Sequence, residues 1–337
     1  MIFITGGTGL VGSHLLIRLL HSGQSVKALY RPESDLHKVS ALFESYGPQT
    51  SALFPRIQWV EGDLNDLPSL IQAFEEVTEV YHCAALISFK PKDRELLRQI
   101  NHTGTQNIVN LCLEKAVKRL YYCSSIATIG GIKSPLTEND LWDFADSNVY
   151  ATSKYLAEME VWRGGQEGLE TVIVNPGVIF GPGFWNQGSG QFFTKVASGL
   201  KYAPPGSTGF VGVWDVVRAF EVIADNQGFN QRFILVAENL KYSEVISQIA
   251  DVLKVPGPKK KLKHWQLEWL WRLDWFRATL TRNPRKLSRA TARNLRKPRA
   301  YSSEKVKGLT GFRFQSIGDV LRRCGEHFPQ KRAGTQS

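Results

Sequence analysis

The sequence predicts an α/β protein: a doubly wound parallel sheet carrying a smaller, mainly helical lobe on its C-terminal side. Three observations predict this. Short segments rich in Val, Ile, Tyr and Leu alternate with helix-period stretches through the first half. A glycine-rich loop joins the first strand to the first helix. After Asn175-Pro176 the alternation gives way to breaks at Gly181-Pro182-Gly183 and Pro204-Pro205-Gly206, and helical sequence dominates thereafter.

In chain order, residues 2–5, 25–30, 57–61, 79–83, 119–124 and 171–175 read as short buried strands. A helix over residues 11–21 has Val11, Leu15, Leu16, Leu19 and Leu20 on one side, and a second over 94–115 has Leu97, Ile100, Ile108, Leu111 and Leu113 apolar. Residues 232–236 read as another strand of the same sheet, so the chain is expected to return to the first unit there. The expected organisation is one unit over residues 1–176 with a return segment at about 212–237, and a lobe made of 177–211 and 238–328. The last helix covers residues 317–328, and 329–337 read as a frayed tail. The sequence has no internal repeat and no low-complexity segment.

Bulk composition narrows the class. At 337 residues, 42% hydrophobic and 22% charged, the chain can bury a large core and has the balance of an ordinary globular protein. No run approaches the length of a spanning helix. Met1-Ile2-Phe3-Ile4-Thr5 is already strand-like and flows into the glycine loop, a pattern that does not fit a secretory leader. Cys83, Cys112, Cys123 and Cys324 show no Cys-x-x-Cys spacing, which suggests buried reduced thiols and a cytoplasmic setting, and no metal site is expected. The net charge of +11 is uneven: residues 259–337 hold 21 Lys/Arg against 5 Asp/Glu, leaving the rest mildly acidic. Such a region suits an anion-binding lobe, or a surface that meets acidic lipid or polymer.

Thr5-Gly6-Gly7-Thr8-Gly9-Leu10-Val11-Gly12 lies between the first strand and the first helix. Gly6 permits a sharp turn, Gly9 a close backbone approach to a diphosphate, and Gly12 tight helix–strand packing. The helix N-terminus adds free N–H groups and partial positive charge, so Thr5, Gly6, Gly9, Leu10, Val11 and Gly12 are candidate contacts to a dinucleotide. The second strand ends Leu29-Tyr30-Arg31, without the acid that holds an NAD ribose. Arg31 can pair with a 2′-phosphate and Lys38 can assist, which favours NADP(H) over NAD(H); the competing reading is a solvent-facing arginine beside Glu33 and Asp35. Asp63, after the third strand, can accept from an adenine amino group or cap the following turn.

Tyr150 and Lys154 are four residues apart, hence one helical turn apart on one face. An ammonium ~4.5 Å from a phenol, at an effective dielectric near 20, favours the phenolate by roughly 3–4 kcal/mol. That corresponds to about 2–3 pKa units below the free value. The pair is a candidate proton-transfer site.

These motifs, together with His82-Cys83-Ala84-Ala85, Asn101-His102-Thr103-Gly104-Thr105, Cys123-Ser124-Ser125-Ile126-Ala127-Thr128 and Gly181-Pro182-Gly183, resemble the extended short-chain dehydrogenase/reductases from Met1 to about Phe328. That family's nucleotide-binding part has the Rossmann fold. The sub-pattern is more similar to dihydroflavonol reductases, 3β-hydroxysteroid dehydrogenases and hopanoid-associated sugar epimerases than to the better-known nucleotide-sugar epimerases. The resemblance implies Tyr150 as general acid/base, Lys154 as the residue holding the nicotinamide ribose and lowering the tyrosine's pKa, and Ser125 rather than Ser124 as donor to the substrate oxygen. It adds Leu64, Ala84, Ala85 and Pro176 to the cofactor contacts, and gives Asn101 a water-ordering or buttressing role. Phe210-Val211-Gly212-Val213-Trp214-Asp215 departs from the Phe-Val-Asp-Val-Arg-Asp of relatives, which leaves substrate contacts undefined. Homodimerisation through two helices is implied as well.

Residues 264–277 hold Trp265, Trp269, Trp271 and Trp275, followed by Arg282, Arg285, Lys286, Arg289 and Arg293. The segment reads either as a helix packed over the substrate cleft or as an interfacial helix on anionic lipid. No nucleic-acid module is recognisable beyond charge. The function expected is NADP(H)-dependent interconversion of a ketone and a secondary alcohol on a small hydrophobic molecule. The alternatives are epimerisation or dehydration of a sugar or nucleotide sugar, and a non-catalytic nucleotide-binding scaffold. Contacts to the substrate are expected from residues 86–94, 177–185 and the C-terminal lobe.

Overall fold

The computed structural model describes residues 1–131, 133–144, 147–258, 260–262, 264–281, 292 and 295–329. The first half runs β1 (Ile2–Thr5), α1 (Leu10–His21), β2 (Val26–Tyr30), α2 (Leu36–Ser45), α3 (Pro48–Ser51), β3 (Gln58–Glu61), α4 (Leu67–Ala73) and β4 (Glu79–His82). It continues with α5 (Arg94–Leu97), α6 (Gly104–Glu114), β5 (Arg119–Cys123), α7 (Val149–Gln166) and β6 (Glu170–Pro176). After β7 (Val178–Phe180), α8 (Gln191–Ala197), β8 (Tyr202–Ala203), β9 (Ser207–Gly212) and α9 (Val213–Asp225), the chain re-enters the sheet as β10 (Gln231–Leu235). Then come β11 (Glu238–Lys241), α10 (Tyr242–Leu253), β12 (Lys260–Lys261) and α11 (His264–Thr281), with helices Glu304–Thr310 and Ile317–Glu326 near the end.

Seven parallel strands form one sheet in the order β3-β2-β1-β4-β5-β6-β10. Parallel neighbours need crossovers, and the crossover helices cover both faces of the sheet. One face packs Leu15, Leu16 and Leu19 of α1 and Val216, Phe220 and Ile223 of α9 against Ile2, Ile4 and Ala28. The other packs Ile108, Val109 and Cys112 of α6 and Ala157 and Val161 of α7 against Phe3, Val80 and Leu120. Each large side chain buried this way contributes roughly 1.5–3 kcal/mol. The strand order reverses between β1 and β4, and a crevice opens beyond their C-terminal ends, where ligands of such sheets bind.

A smaller assembly is built on the sheet β11-β9-β7 with α8, α10 and helix Ile317–Glu326. Its core is aromatic and aliphatic: Phe180, Phe193, Phe210, Ile246, Ile249, Val320 and Leu321 are all buried. Gly212 permits this packing, because a Cβ there would come within 2.7 Å of Val320 Cγ2.

Two details differ from the sequence expectation. β3 is an edge strand with none of its four residues buried, since only β2 pairs with it. Residues 94–115 do not form one continuous α-helix: a π-helical stretch, Arg98–Thr103, separates α5 from α6. Apolar periodicity runs through the stretch, so spacing alone does not reveal it.

Candidate active site

One connected cavity of about 1510 Å³ runs from the glycine loop past Tyr150 into the smaller lobe. It exceeds the roughly 300–1,000 Å³ of a single small-molecule site and has room for a dinucleotide and a second molecule.

Gly6, Gly9, Leu10, Val11 and Gly12 line one end. Gly6 has φ +73°, and a Cβ there would lie 2.6 Å from Ala84 N. A Cβ on Gly12 would overlap the Gly6 carbonyl oxygen. Gly9 is the N-cap of α1, with no side chain capping the helix and no acid in its first turn. Its N-terminal N–H groups and positive dipole end are thus left for an anion, and the residues present fit a diphosphate. Arg31, Asp63, Leu64, Ala84, Ala85 and Pro176 also line the cavity. Asp63 Oδ1 accepts from Asn65 N at 2.9 Å, capping the following turn, and the residue lines the cavity wall. Arg31 is half exposed and ion-paired with Glu33 at 3.2 Å.

Two candidates stand elsewhere. Lys38 does not line the cavity; its ammonium pairs with Asp35, 3.3 Å away on the solvent side of α2. Thr5 is buried behind the loop, with its Oγ1 2.6 Å from His82 Nδ1 and accepting from Ala84 N at 3.3 Å. His82 Nε2 in turn lies 2.9 Å from Thr105 Oγ1, which donates to Asn101 O. Burial, reinforced by the Lys154 charge, lowers the His82 pKa to about 3, so this chain carries a neutral imidazole. Thr5 therefore positions the β1 and β4 ends instead of reaching the cavity.

α7 presents Tyr150 and Lys154. Asn148 caps the helix by accepting from Ala151 N at 2.9 Å, which puts Tyr150 in the first turn. Ser125 accepts from Ala127 N at 3.1 Å, and it stands near enough to Tyr150 to oppose the rise in the phenol's pKa. Ser125, Tyr150 and Lys154 all line the cavity. Lys154 is 2% exposed; its Nζ donates to Tyr122 Oη at 2.7 Å and to Cys123 O at 2.9 Å. An ammonium has three protons, so one remains for the cavity.

The electrostatics differ from the estimate drawn from spacing. Burial pushes Tyr150 up to about 12; the Cys123 thiol adds to this and the nearby Ser125 opposes it. Lys154 does not act on the phenol because its ammonium is turned to β5. Its own pKa is lowered to about 8 by burial, with Cys123, Glu158 and Cys83 opposing.

Two further groups support the site, of which Glu158 escaped the sequence reading. Asn101, held in the π-helical stretch, accepts from Leu86 N at 2.7 Å and donates to Leu86 O and to Ser153 Oγ. Ser153 donates to Tyr150 O, so Asn101 buttresses the wall at Leu86 against the first turn of α7. Glu158, fully buried one turn beyond Lys154, accepts from Ser124 Oγ at 2.5 Å, Thr128 Oγ1 at 2.9 Å and Asn175 Nδ2 at 2.8 Å, and pairs with Arg232 at 3.2 Å. Ser124 commits its proton to Glu158, although both Ser124 and Ser125 line the cavity. The continuing i, i+4 series Tyr150, Lys154, Glu158 was the available signal.

The far end of the cavity is lined by Ile87, Phe89, Ile129, Phe184, Phe192 and Tyr242, and Phe89 stacks edge-on with Tyr150 at 5.4 Å between ring centroids. Trp214 and Asp215 do not line it: Trp214 Nε1 donates to Tyr46 Oη, and buried Asp215 accepts from Gln315 N. Among the described residues, no helix is long and apolar enough to cross a membrane. Arg282, Arg285, Lys286, Arg289 and Arg293 lie outside the described residues, as do 330–337 of the tail. All four cysteines are free thiols.

Comparison with known proteins adds context. The model of the NAD dependent epimerase/dehydratase family matches residues 2–236. A Synechocystis sp. protein assigned as a dihydroflavonol 4-reductase is 31% identical over 84% of this chain and 81% of its own length. The sterol demethylase protein B of Methylococcus capsulatus is 29% identical over 76% of this chain and 75% of its own. The crystal structure of a Thermotoga maritima UDP-glucose 4-epimerase with UDP-glucose superposes with a TM-score of 0.74 over 97% of both chains at 20% identity, a likeness of fold.

Proposed function

Because the chain belongs to the NAD dependent epimerase/dehydratase family, we propose that it is an NADP(H)-dependent oxidoreductase interconverting a ketone and a secondary alcohol on a hydrophobic small molecule. The observation that carries the reading is the convergence of Ser125, Tyr150 and Lys154 on one cavity wall, between the glycine loop and a part lined by Ile87, Phe89, Phe184 and Phe192. The reductase relative shares more sequence with the chain than the epimerase does, and Ile87, Phe89, Phe184 and Phe192 in the lining suit an uncharged molecule, beside Lys90, Lys92, Lys195 and Arg299.

The loop from Gly6 to Gly12 and the start of α1 hold the diphosphate, Asp63 and Leu64 the adenine side, and Ala84, Ala85 and Pro176 the remainder. Arg31 exchanges Glu33 for a 2′-phosphate. When bound, the reduced nicotinamide supplies a hydride to the substrate carbon. Negative charge then grows on the substrate oxygen, where the Ser125 and Tyr150 hydroxyls donate and stabilise it preferentially. Tyr150 is fully protonated at neutral pH, the state needed to give its proton to that oxygen. Lys154 would offer its third N–H to the nicotinamide ribose. The chain works as a cytoplasmic protein in this reading, alone or as a homodimer.

A panel of carbonyl compounds, followed by NADPH and NADH absorbance, tests the proposal. Tyr150→Phe should retain NADPH binding and lose about 10²–10⁴-fold in turnover. Equal cofactor oxidation by both proteins would overturn the mechanism. An epimerase returns its hydride and would leave cofactor absorbance unchanged while substrate is consumed.

A further inference from the structure

α11 is exposed where a buried helix would be covered. Trp265, Trp269, Leu273 and Phe276 are 60%, 62%, 60% and 58% exposed. At 100° per residue their spacing gathers them within an arc of about 80°. Leu267, on the opposite side, is 2% exposed and anchors the helix to the protein. The two arginines of α11 are paired within the helix, Arg272 with Glu268 at 2.9 Å and Arg277 with Asp274 at 2.8 Å, and the flanking sequence adds further positive charge. Residues 259–263 contain four lysines and residues 282–299 eight Lys/Arg, with no Asp or Glu in either run.

An apolar aromatic stripe between two basic runs is complementary to a bilayer carrying anionic headgroups. Tryptophan and phenylalanine enter the headgroup–acyl boundary while lysine and arginine stay among the phosphates. Negative protein surfaces match the charge but offer no layer for four large apolar side chains in a row.

The stripe is tied to the cavity. Glu268 accepts from Arg296 at 3.0 Å, and the segment around Arg296 is bonded to the start of β9 through Gly206 N to Leu295 O at 2.9 Å and Arg299 N to Ser207 O at 3.2 Å. Leu295 and Arg299 line the cavity. We propose that α11 docks the chain on an anionic lipid surface through Trp265, Trp269, Leu273 and Phe276, next to the wall of the cavity formed by Leu295 and Arg299.

The test is co-sedimentation of the full chain with vesicles of phosphatidylcholine alone or mixed with phosphatidylglycerol. The chain should pellet with the mixed vesicles, pellet far less with the neutral ones, and be released by salt as screening grows. Trp265→Ser/Trp269→Ser/Phe276→Ser should weaken partitioning at least about tenfold, with an unchanged urea midpoint and NADPH affinity, because these side chains are exposed. Tryptophan emission of the unmodified chain should shift to the blue with mixed vesicles, a readout that does not depend on the variant folding. Equal binding by variant and wild type, absence of binding and blue shift with mixed vesicles, or loss of a dimer in the variant without vesicle binding would each overturn the proposal. Vesicle binding is read without turnover, so it stands or falls apart from carbonyl reduction.

Discussion

Lys154 carries the pH dependence of the site. Burial takes its pKa from 10.5 to about 8, so the folded protein releases this proton at lower pH than the unfolded chain does. Loss of the ammonium removes one of the protons with which Lys154 holds Tyr122, Cys123 and, in the proposed reading, the nicotinamide ribose. In the reductive direction kcat/KM, which reports groups of the free enzyme, should therefore fall as pH rises through about 8. The contribution of Lys154 to stability has the opposite sign: between about 8 and 10.5 the unfolded chain binds more protons, so this group makes folding more favourable as pH rises. A pH–rate profile set beside urea midpoints over the same range checks both, and activity loss that tracks unfolding would contradict the assignment. Arg31 sets cofactor choice in the same local manner. Replacing a charge-assisted hydrogen bond to phosphate costs about 1.5–3 kcal/mol, so Arg31→Ala should raise KM for NADPH roughly 10- to 100-fold and leave NADH within about twofold. Steady-state kinetics with both cofactors measures it. At this scale the sequence distinguishes residue types but not directions. Ser124 and Ser125 are adjacent hydroxyls that both line the cavity, and only the fold commits the first of them to Glu158. Lys38 is near Arg31 in sequence, yet pairs with Asp35 away from the site.

Elements were most legible where the signal is local. The β1–loop–α1 unit needs only a strand, three glycines and an apolar helix face within twenty residues, and the structure forms it with α1 starting at Leu10. What stayed hidden depends on partners distant in sequence. α7 holds its place through Glu158, whose carboxylate gathers β5, β6 and β10 by way of Ser124, Asn175 and Arg232. No spacing rule announces Arg232, 74 residues further along. Removing one member of a buried ion pair leaves the other uncompensated, at a cost of about 3–5 kcal/mol. Glu158→Ala should therefore destabilise the protein by that order in urea denaturation, and should lower kcat by loosening Lys154 and Tyr150 on the same helix. A loss below 1 kcal/mol would mean that the network is solvated in solution. The π-helical stretch at Arg98–Thr103 is hidden for a similar reason: what accompanies it is the set of Asn101 hydrogen bonds to Leu86 and Ser153, not a local pattern.

The whole molecule converges on one cavity from two sides. The ends of β1, β4, β5 and β6 supply the dinucleotide side, while α8, β9 and residues 295–301 supply the other. The chain passes between the large sheet and the smaller assembly at β6–β7, at β9–α9 and at β10–β11, so a ligand in the cavity touches parts that separate in sequence and meet only in the fold. Binding to the folded form alone stabilises it by RT ln(1 + [L]/Kd), about 2.7 kcal/mol at a hundredfold excess over Kd. NADPH at that excess should move the urea midpoint upward in a single transition. Arg31→Ala at the same NADPH concentration should recover only part of the shift, and with NADH it should match wild type. Gly12→Ala should abolish the shift for both cofactors, since its Cβ would overlap the Gly6 carbonyl and displace the loop. If NADPH leaves the wild-type midpoint unmoved at concentrations that saturate turnover, the cavity between the two assemblies is not where the cofactor binds.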